Sequence, residues 1–180
     1  MQEQVAVDLL IGGKWRPAAG GETLALIDPA TEERIGTAAQ AGREDVNAAI
    51  NAAVQGFETW KKVPAWERAK VLRKAAQLVA ERADGIARLL TLEVGKPLAQ
   101  SKGELQATVE CIDWYADEAR RIYGQSLPGR SADQRFLVSY EPVGPVAAFT
   151  AWNFPVVLQA RKIAPALAAG CTILCRPAEE

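Results

Sequence analysis

The chain has 180 residues, 49% of them apolar and 24% charged, with 21 basic against 22 acidic side chains, the mix of a soluble globular protein with one substantial core or parts of two. A net charge of −1 gives no pull towards nucleic acid or an anionic membrane, no apolar run reaches the roughly 18 residues of a bilayer span, and Met1-Gln2-Glu3-Gln4 lacks the basic and apolar regions of a signal peptide, so the cytoplasm is the expected compartment. The absence of histidine excludes a Ser-His-Asp triad, a Cys-His dyad and a His-ligated metal site, and no metal is expected.

Leu9-Leu10-Ile11, running into Gly12-Gly13 and then Lys14-Trp15, predicts a hairpin, and Thr23 to Ile27 a strand that stops at the Asp28-Pro29 turn signal. Helices follow. Val46, Ile50, Ala53 and Phe57 make one apolar stripe; Ala65, Ala69, Leu72, Ala76 and Val79 make a second, begun by Pro64. Ile86, Leu89 and Leu90 continue a shorter helix, ended by Gly95-Lys96-Pro97. Leu105, Val109, Ile112, Ala116 and Ala119 stripe a long one that fades near Gly124. The polar, turn-rich stretch 125–135 predicts a connector, and Phe136 to Tyr140 a strand. Pro145 to Phe149 is a short apolar strand, Pro155 to Ala169 a helix closed by Gly170, and Cys171 to Cys175 another strand. Strand, loop, helix and strand in about 30 residues is the size of a βαβ unit, which implies a parallel sheet with ligands outside the carboxyl ends of its strands. There is no internal repeat or low-complexity tract.

That rule directs attention to the loop 150–155 and the tail 176–180. No Gly-x-Gly-x-x-Gly fingerprint or Walker A loop occurs, so a dinucleotide would be held without the usual glycine turn. At the strand end stands Thr150-Ala151-Trp152-Asn153. The Asn153 carboxamide either donates to a developing oxyanion or satisfies backbone groups at the helix start. Arg161 and Lys162 are consecutive cations on the helix; their side chains point about 100° apart, and they either serve a site or snorkel at the surface. Pro165 removes the N–H that would bond the Arg161 carbonyl, so a kink is expected there. In the tail, Glu179 is able to accept from ribose hydroxyls, the alternative being a solvated charged loop. As strand residues, Cys171 and Cys175 would share a face about 13 Å apart, too far for a disulfide, and read as small core hydrophobes.

Trp152-Asn153-Phe154-Pro155, then Arg161-Lys162-x-Ala164-Pro165-Ala166-Leu167-Ala168-Ala169-Gly170-Cys171, then Arg176-Pro177-Ala178-Glu179-Glu180, resemble the NAD(P)-dependent aldehyde dehydrogenase superfamily. Upstream, Ile11-Gly12-Gly13-Lys14-Trp15, Asp28-Pro29-Ala30-Thr31 and Glu93-x-Gly95-Lys96-Pro97 are similar to that family's N-terminal landmarks, and the likeness runs in order along essentially the whole chain. The resemblance implies a small-molecule aldehyde as substrate, NAD as cofactor with NADP as the alternative, and a homodimer or homotetramer as the full-length enzyme. It further implies a mechanism in which a cysteine thiolate attacks the aldehyde, the residue matching Asn153 holds the oxyanion, hydride passes to the nicotinamide, and a glutamate activates water to hydrolyse the thioester. Phe149, Thr150, Ala151, Trp152 and Asn153 match the cofactor-lining loop. Arg176, Pro177, Ala178 and Glu179 match the Lys-Pro-Ala-Glu segment around the adenosine ribose, with Arg176 standing where the family usually has lysine. Lys162 matches a lysine kept near the active site. Arg161 resembles the arginine with which succinate-semialdehyde dehydrogenases hold the distal carboxylate of their substrate.

The fold expected is α/β: an N-terminal β-hairpin and helical layer (1–124), a connector and strand (125–143), and the start of a Rossmann-like parallel-sheet cofactor domain (144–180), incomplete in this chain. By the resemblance, the Gly-rich segment, glutamate base and nucleophilic cysteine are expected beyond Glu180; Cys111, Cys171 and Cys175 do not match the nucleophile. The 180 residues alone are therefore expected to be inactive. The rival reading is a non-catalytic truncated paralogue that binds a nucleotide or docks onto a full-length subunit.

Overall fold

The computed structural model describes residues 5–178. In chain order its N-terminal strands are Val5–Val7 (β1), Leu9–Ile11 (β2), Lys14–Arg16 (β3), Thr23–Ile27 (β4) and Arg34–Ala39 (β5). β2 and β3 form the expected antiparallel hairpin, with Leu10 opposite Trp15. β5 is the centre of a three-stranded sheet, parallel to β1 and antiparallel to β4. Neither β1 nor β5 is predicted above, and the composition explains why: of Arg34-Ile35-Gly36-Thr37-Ala38-Ala39, only Ile35 and Thr37 favour strands. Gly36 permits the pairing, since a Cβ there would lie 2.1 Å from the Val5 carbonyl oxygen.

The helical layer comprises Arg43–Trp60 (α1), Ala65–Glu81 (α2), Ala83–Val94 (α3) and Leu98–Glu118 (α4), which tightens into a 3₁₀ turn at Ala119–Arg121. Pro64 precedes α2, its carbonyl accepting the N–H groups of Glu67 and Arg68 at 2.9 and 3.0 Å. Asp45, 1% exposed, ties the start of α1 to the N-terminal strands. Its carboxylate accepts from the N–H of Gly42 at 3.1 Å, from that of Ala19 at 3.1–3.2 Å and from the Arg16 guanidinium at 3.0 Å. The expected apolar stripe of α1 is not core: Val46 and Ile50 are exposed. α1 lies beside β2 and a single later strand, Ile173–Arg176, outside the main helical cluster, so that stripe meets few apolar neighbours.

The stretch 125–135, expected as a connector, contains a strand. Gln125–Pro128 (β6) pairs antiparallel with Arg135–Val138 (β7), which takes the place of the strand expected from Phe136 to Tyr140. All residues of both strands are exposed, so no polar–apolar alternation marks them, and the turn-forming residues lie in the tip between. The βαβ unit is present as expected: Val146–Phe149 (β8), Pro155–Ala169 (α5) and Ile173–Arg176 (β9), with β8 and β9 parallel and Phe149 opposite Arg176. β9 starts two residues later than expected because Cys171 belongs to the helix end. Gly170 turns left-handed (φ 89°), the N–H of Cys171 reaches back to the Ala166 carbonyl at 2.9 Å, and that of Gly170 to Leu167 at 3.1 Å, a Schellman closure. The three cysteines are free thiols.

Ala69, Leu72 and Ala76 of α2, Ile112 and Ala116 of α4, Ala119, and Ala160, Ala164 and Ala168 of α5 form the main core. The alanines at spacings of four on α5 form a seam without bulk, which lets α5 lie close against α4 and α2. A second cluster, Ala87, Leu90 and Leu105, joins α3 to α4, with Val156 at the start of α5 packed on it. Truncating Leu105, among the most buried side chains, to alanine would cost about 2–5 kcal/mol.

Candidate functional site

α5 carries the loop 150–154 at its N-terminus, and buried side chains of matching charge hold it at both ends. Pro155 occupies the first helical position and has no N–H to satisfy. The next two N–H groups, of Val156 and Val157, both donate to Glu104 Oε1 on α4, at 2.9 and 3.1 Å. A carboxylate at this end also complements the helix dipole. The Glu104 side chain is fully buried, and its other oxygen, Oε2, takes the Lys96 ammonium at 2.6 Å, itself only 9% exposed. Lys96 Nζ donates in addition to the Asn153 carbonyl at 2.9 Å and lies 4.3 Å from the centroid of the Phe154 ring.

At the other end, Arg68 Nε donates to the Ala168 carbonyl at 3.0 Å and Nη1 to Val63 at 2.6 Å, while the Trp60 indole N–H reaches Leu167 at 3.0 Å. Burial pushes the pKa of Arg68 down, the neighbouring Cys171 thiol opposing it; a guanidinium stays charged regardless.

The strand ends come together as the βαβ rule requires. Phe149 is 71% exposed at the end of β8 and stands opposite Arg176 at the end of β9, and the Thr150 N–H donates to the Arg176 carbonyl at 3.3 Å. Thr150, Ala151 and Trp152 therefore begin their loop beside Arg176, Pro177 and Ala178. The Arg176 guanidinium reaches the Pro177 carbonyl at 3.4 Å. Glu179 lies outside the described residues.

Asn153 is exposed and does not cap α5; the capping position is Phe154, and no side chain caps from within the loop. The carboxamide of Asn153 makes no hydrogen bond with the described residues, so its backbone carbonyl, not its side chain, is what the fold engages. Arg161 and Lys162 lie two turns on, about 9 Å along the axis from Pro155 at 1.5 Å per residue. Both are exposed, without a hydrogen bond or ion pair to the described residues. Arg161 is near enough to Cys111 on α4 to oppose the rise that burial gives that thiol's pKa. α5 continues as helix through Pro165.

Lys96, Glu104 and Arg68 were not among the expected site residues, yet two of them leave a trace in the sequence. Glu104 sits within the buried stripe Ser101, Leu105, Thr108 and Ile112 of α4, and Arg68 within Ala69, Leu72 and Ala76 of α2. A charge on a core-facing stripe requires a partner, and that partner is the end of another helix.

A cleft of about 760 Å³ opens between the β2–β3 hairpin, α1 and the α5–β9 face, lined by Leu10, Trp15, Val46, Ile163, Thr172 and Arg176 among others. Of the candidate residues, Arg176 and Pro177 line it, while Asn153, Arg161 and Lys162 do not. Cys171 is buried, and burial pushes the thiols of half-buried Cys111 and Cys175 up, away from thiolate. Among the described residues no cluster of three or more His, Cys, Asp or Glu is arranged to hold a metal, and no helix is long and apolar enough to cross a membrane.

The sequence pattern of the Aldehyde dehydrogenase family matches residues 15–180, and the chain belongs to that family. It is 44% identical over 171 residues to the succinate-semialdehyde dehydrogenase [NADP(+)] of Escherichia coli K12, covering 95% of this chain and 36% of that one. It is 45% identical over 170 residues to the 3-sulfolactaldehyde dehydrogenase of Pseudomonas putida, covering 94% and 35%. Among solved structures, succinate-semialdehyde dehydrogenase from Burkholderia pseudomallei superposes with a TM-score of 0.94 at 43% identity, covering 96% of this chain and 36% of that one. The chain thus spans about a third of the length of these relatives.

Proposed function

We propose that these residues form the N-terminal third of an NAD(P)-dependent aldehyde dehydrogenase that oxidises an aldehyde with a distal acidic group, such as succinate semialdehyde, to the carboxylic acid through a cysteine thioester. The observation that carries this reading is the meeting of the loop 149–153 with the segment 176–178 across the parallel β8–β9 ladder, with the Asn153 carboxamide unengaged by the fold. Exposed Phe149 and Trp152 and the open strand ends fit a dinucleotide lying across them, held by Phe149 to Asn153 and by Arg176, Pro177 and Ala178. When bound, the nicotinamide supplies the hydride acceptor.

The part played by this chain is electrostatic. Addition of a thiolate to the aldehyde carbon leaves a negative charge on the carbonyl oxygen. The Asn153 carboxamide donates to that oxygen, a contact worth roughly 3–4 kcal/mol when preorganised away from water. The nucleophilic cysteine and the glutamate that activates water are assigned to residues beyond Glu180. Lys162, matching a lysine that the family keeps near the active site, adds positive charge there.

Arg161 supplies selectivity. A bidentate guanidinium–carboxylate contact is worth roughly 1.5–3 kcal/mol, enough to favour an acidic aldehyde over a neutral one by about one to two orders of magnitude. Arg161 is exposed without an ion pair to the described residues. The names of the E. coli and P. putida relatives, succinate-semialdehyde and 3-sulfolactaldehyde dehydrogenase, support the same preference. The test is Arg161→Gln in the full-length enzyme, with succinate semialdehyde compared with butanal. The expected result is a fall in kcat/KM of about 10- to 100-fold for the acid alone; equal losses on both substrates would make Arg161 structural.

A further inference from the structure

We infer that Lys96 and Glu104 are positioning residues for Asn153, clamping the backbone immediately after its side chain. This rests on the reading of Asn153 as the oxyanion donor. The loop that carries Asn153 is exposed, and its side chain has no partner among the described residues to hold it. Preorganisation must therefore come from the backbone. Two fixed points follow its Cα in close succession. The Asn153 carbonyl accepts from Lys96 Nζ at 2.9 Å, and within the next four residues the N–H groups of Val156 and Val157 donate to Glu104 Oε1 at 2.9 and 3.1 Å. Lys96 and Glu104 are joined to each other at 2.6 Å, so the two points form one rigid unit.

The unit is anchored far from the chemistry in sequence and deep in the fold. Glu104 projects from the buried face of α4, and its backbone carbonyl accepts the Thr108 hydroxyl at 2.8 Å. Lys96 follows the left-handed Gly95 that ends α3, and the Phe154 ring covers its ammonium. A buried ion pair is a costly way to stabilise a fold, because desolvation offsets much of its attraction. Its gain here is geometric: Lys96 has three donors and uses them on a carboxylate, a site carbonyl and an aromatic face. Neither residue touches substrate or cofactor; both act through Asn153.

The test is a mutant cycle in the full-length enzyme. Lys96→Met with Glu104→Gln removes both charges together, so no buried charge is left unpaired, and the carbonyl of the introduced carboxamide still accepts the α5 N–H groups. The expected result is a fall in kcat of at least about 10-fold, within the 10²- to 10³-fold scale of losing one oxyanion donor. The Kd for the cofactor, read by fluorescence titration, stays within about threefold. In an Asn153→Ala background the same pair of changes lowers kcat less than about twofold, because the group it positions is gone. Should the double replacement not fold, Glu104→Gln alone enters the same cycle. Equal fold losses in both backgrounds, or no loss in the wild-type background, would overturn the inference while leaving the role of Asn153 standing. If Asn153→Ala itself leaves kcat unchanged, the oxyanion reading fails and the clamp with it.

Discussion

Arg68 offers the sharpest test of how α5 is held. Its guanidinium, buried between α2 and the end of α5, donates to the carbonyls of Val63 and Ala168 at 2.6 and 3.0 Å. Arg68→Met keeps the apolar stem and removes both donors. Two hydrogen bonds from a charged group are worth about 1.5 kcal/mol each at the low end of their range, and removing a desolvated charge returns part of that, leaving a net loss of about 2 kcal/mol. At about 1.4 kcal/mol per decade this is roughly a 30-fold larger opening equilibrium for the last turn of α5. Hydrogen exchange of peptides covering residues 163–172, under conditions where exchange follows the opening equilibrium, reads it directly. The β2–β3 hairpin serves as the internal control and keeps its rate. Arg68→Lys falls between, since a single ammonium nitrogen lacks the span by which Nε and Nη1 reach the two separate carbonyls. Unchanged exchange at 163–172, or equal acceleration in the hairpin, would refute the assignment of Arg68 as the C-terminal anchor of α5.

Burial alone would raise the pKa of Asp45, but the N–H groups of Gly42 and Ala19 and the Arg16 charge outweigh it and hold the carboxyl below its ordinary value. A depressed folded pKa contributes stability above the unfolded value and loses it as pH falls, so Asp45→Asn lowers the melting temperature at pH 7, and the gap to wild type closes below about pH 4; a gap constant down to about pH 2 would contradict the assignment. A second expectation concerns cofactor choice in the full-length enzyme. By the family resemblance Glu179, which lies outside the described residues, would accept a 2′-hydroxyl and repel a 2′-phosphate; the expected outcome is a higher kcat/KM with NAD, and an equal or higher value with NADP would show that the Arg176 guanidinium dominates. Finally, the 180-residue chain by itself is expected to give no aldehyde-dependent NADH, since Cys171 is buried and burial raises the thiols of Cys111 and Cys175; turnover above a contaminant control would place a nucleophile within these residues.

The helices and the βαβ unit are legible in the sequence because their apolar spacing repeats long enough to show a period, and because Gly95, Pro97 and Gly170 punctuate it. Ala69, Leu72, Ala76, Ile112 and Ala116 are core as their stripes predict. The strands that escape are those made by partners rather than by propensity. β5 exists because Gly36 admits the backbone of Val5, and β6 because β7 folds back on it with every residue exposed. Neither cause has a local pattern. The strand-end rule and the family resemblance together single out the loop 149–153 and the tail from Arg176 as a candidate site, and the β8–β9 pairing brings Phe149 and Thr150 beside Arg176. The supports beneath them are not, because Glu104 and Lys96 meet Asn153 and Val156 across some fifty residues of chain.

One helix thus serves three purposes on three faces, and its sequence keeps them apart by spacing. Ala160, Ala164 and Ala168 recur every four residues and give α5 a narrow inward seam against α2 and α4. Arg161 and Lys162 stand one and two residues off that seam, about 100° and 200° around the axis, which turns them outward without any further device. The ends are left for the charges of other helices, a carboxylate where the dipole is positive and a guanidinium where it is negative. Small seam residues allow the close approach, and close approach is what lets side chains as short-reaching as Glu104 meet the first N–H groups of α5. The rotation of α5 that buries its alanines therefore also sets where Arg161 points, and the clamp that fixes its first turn sets where Asn153 stands. Core packing and site geometry in this chain are consequences of the same helix placement.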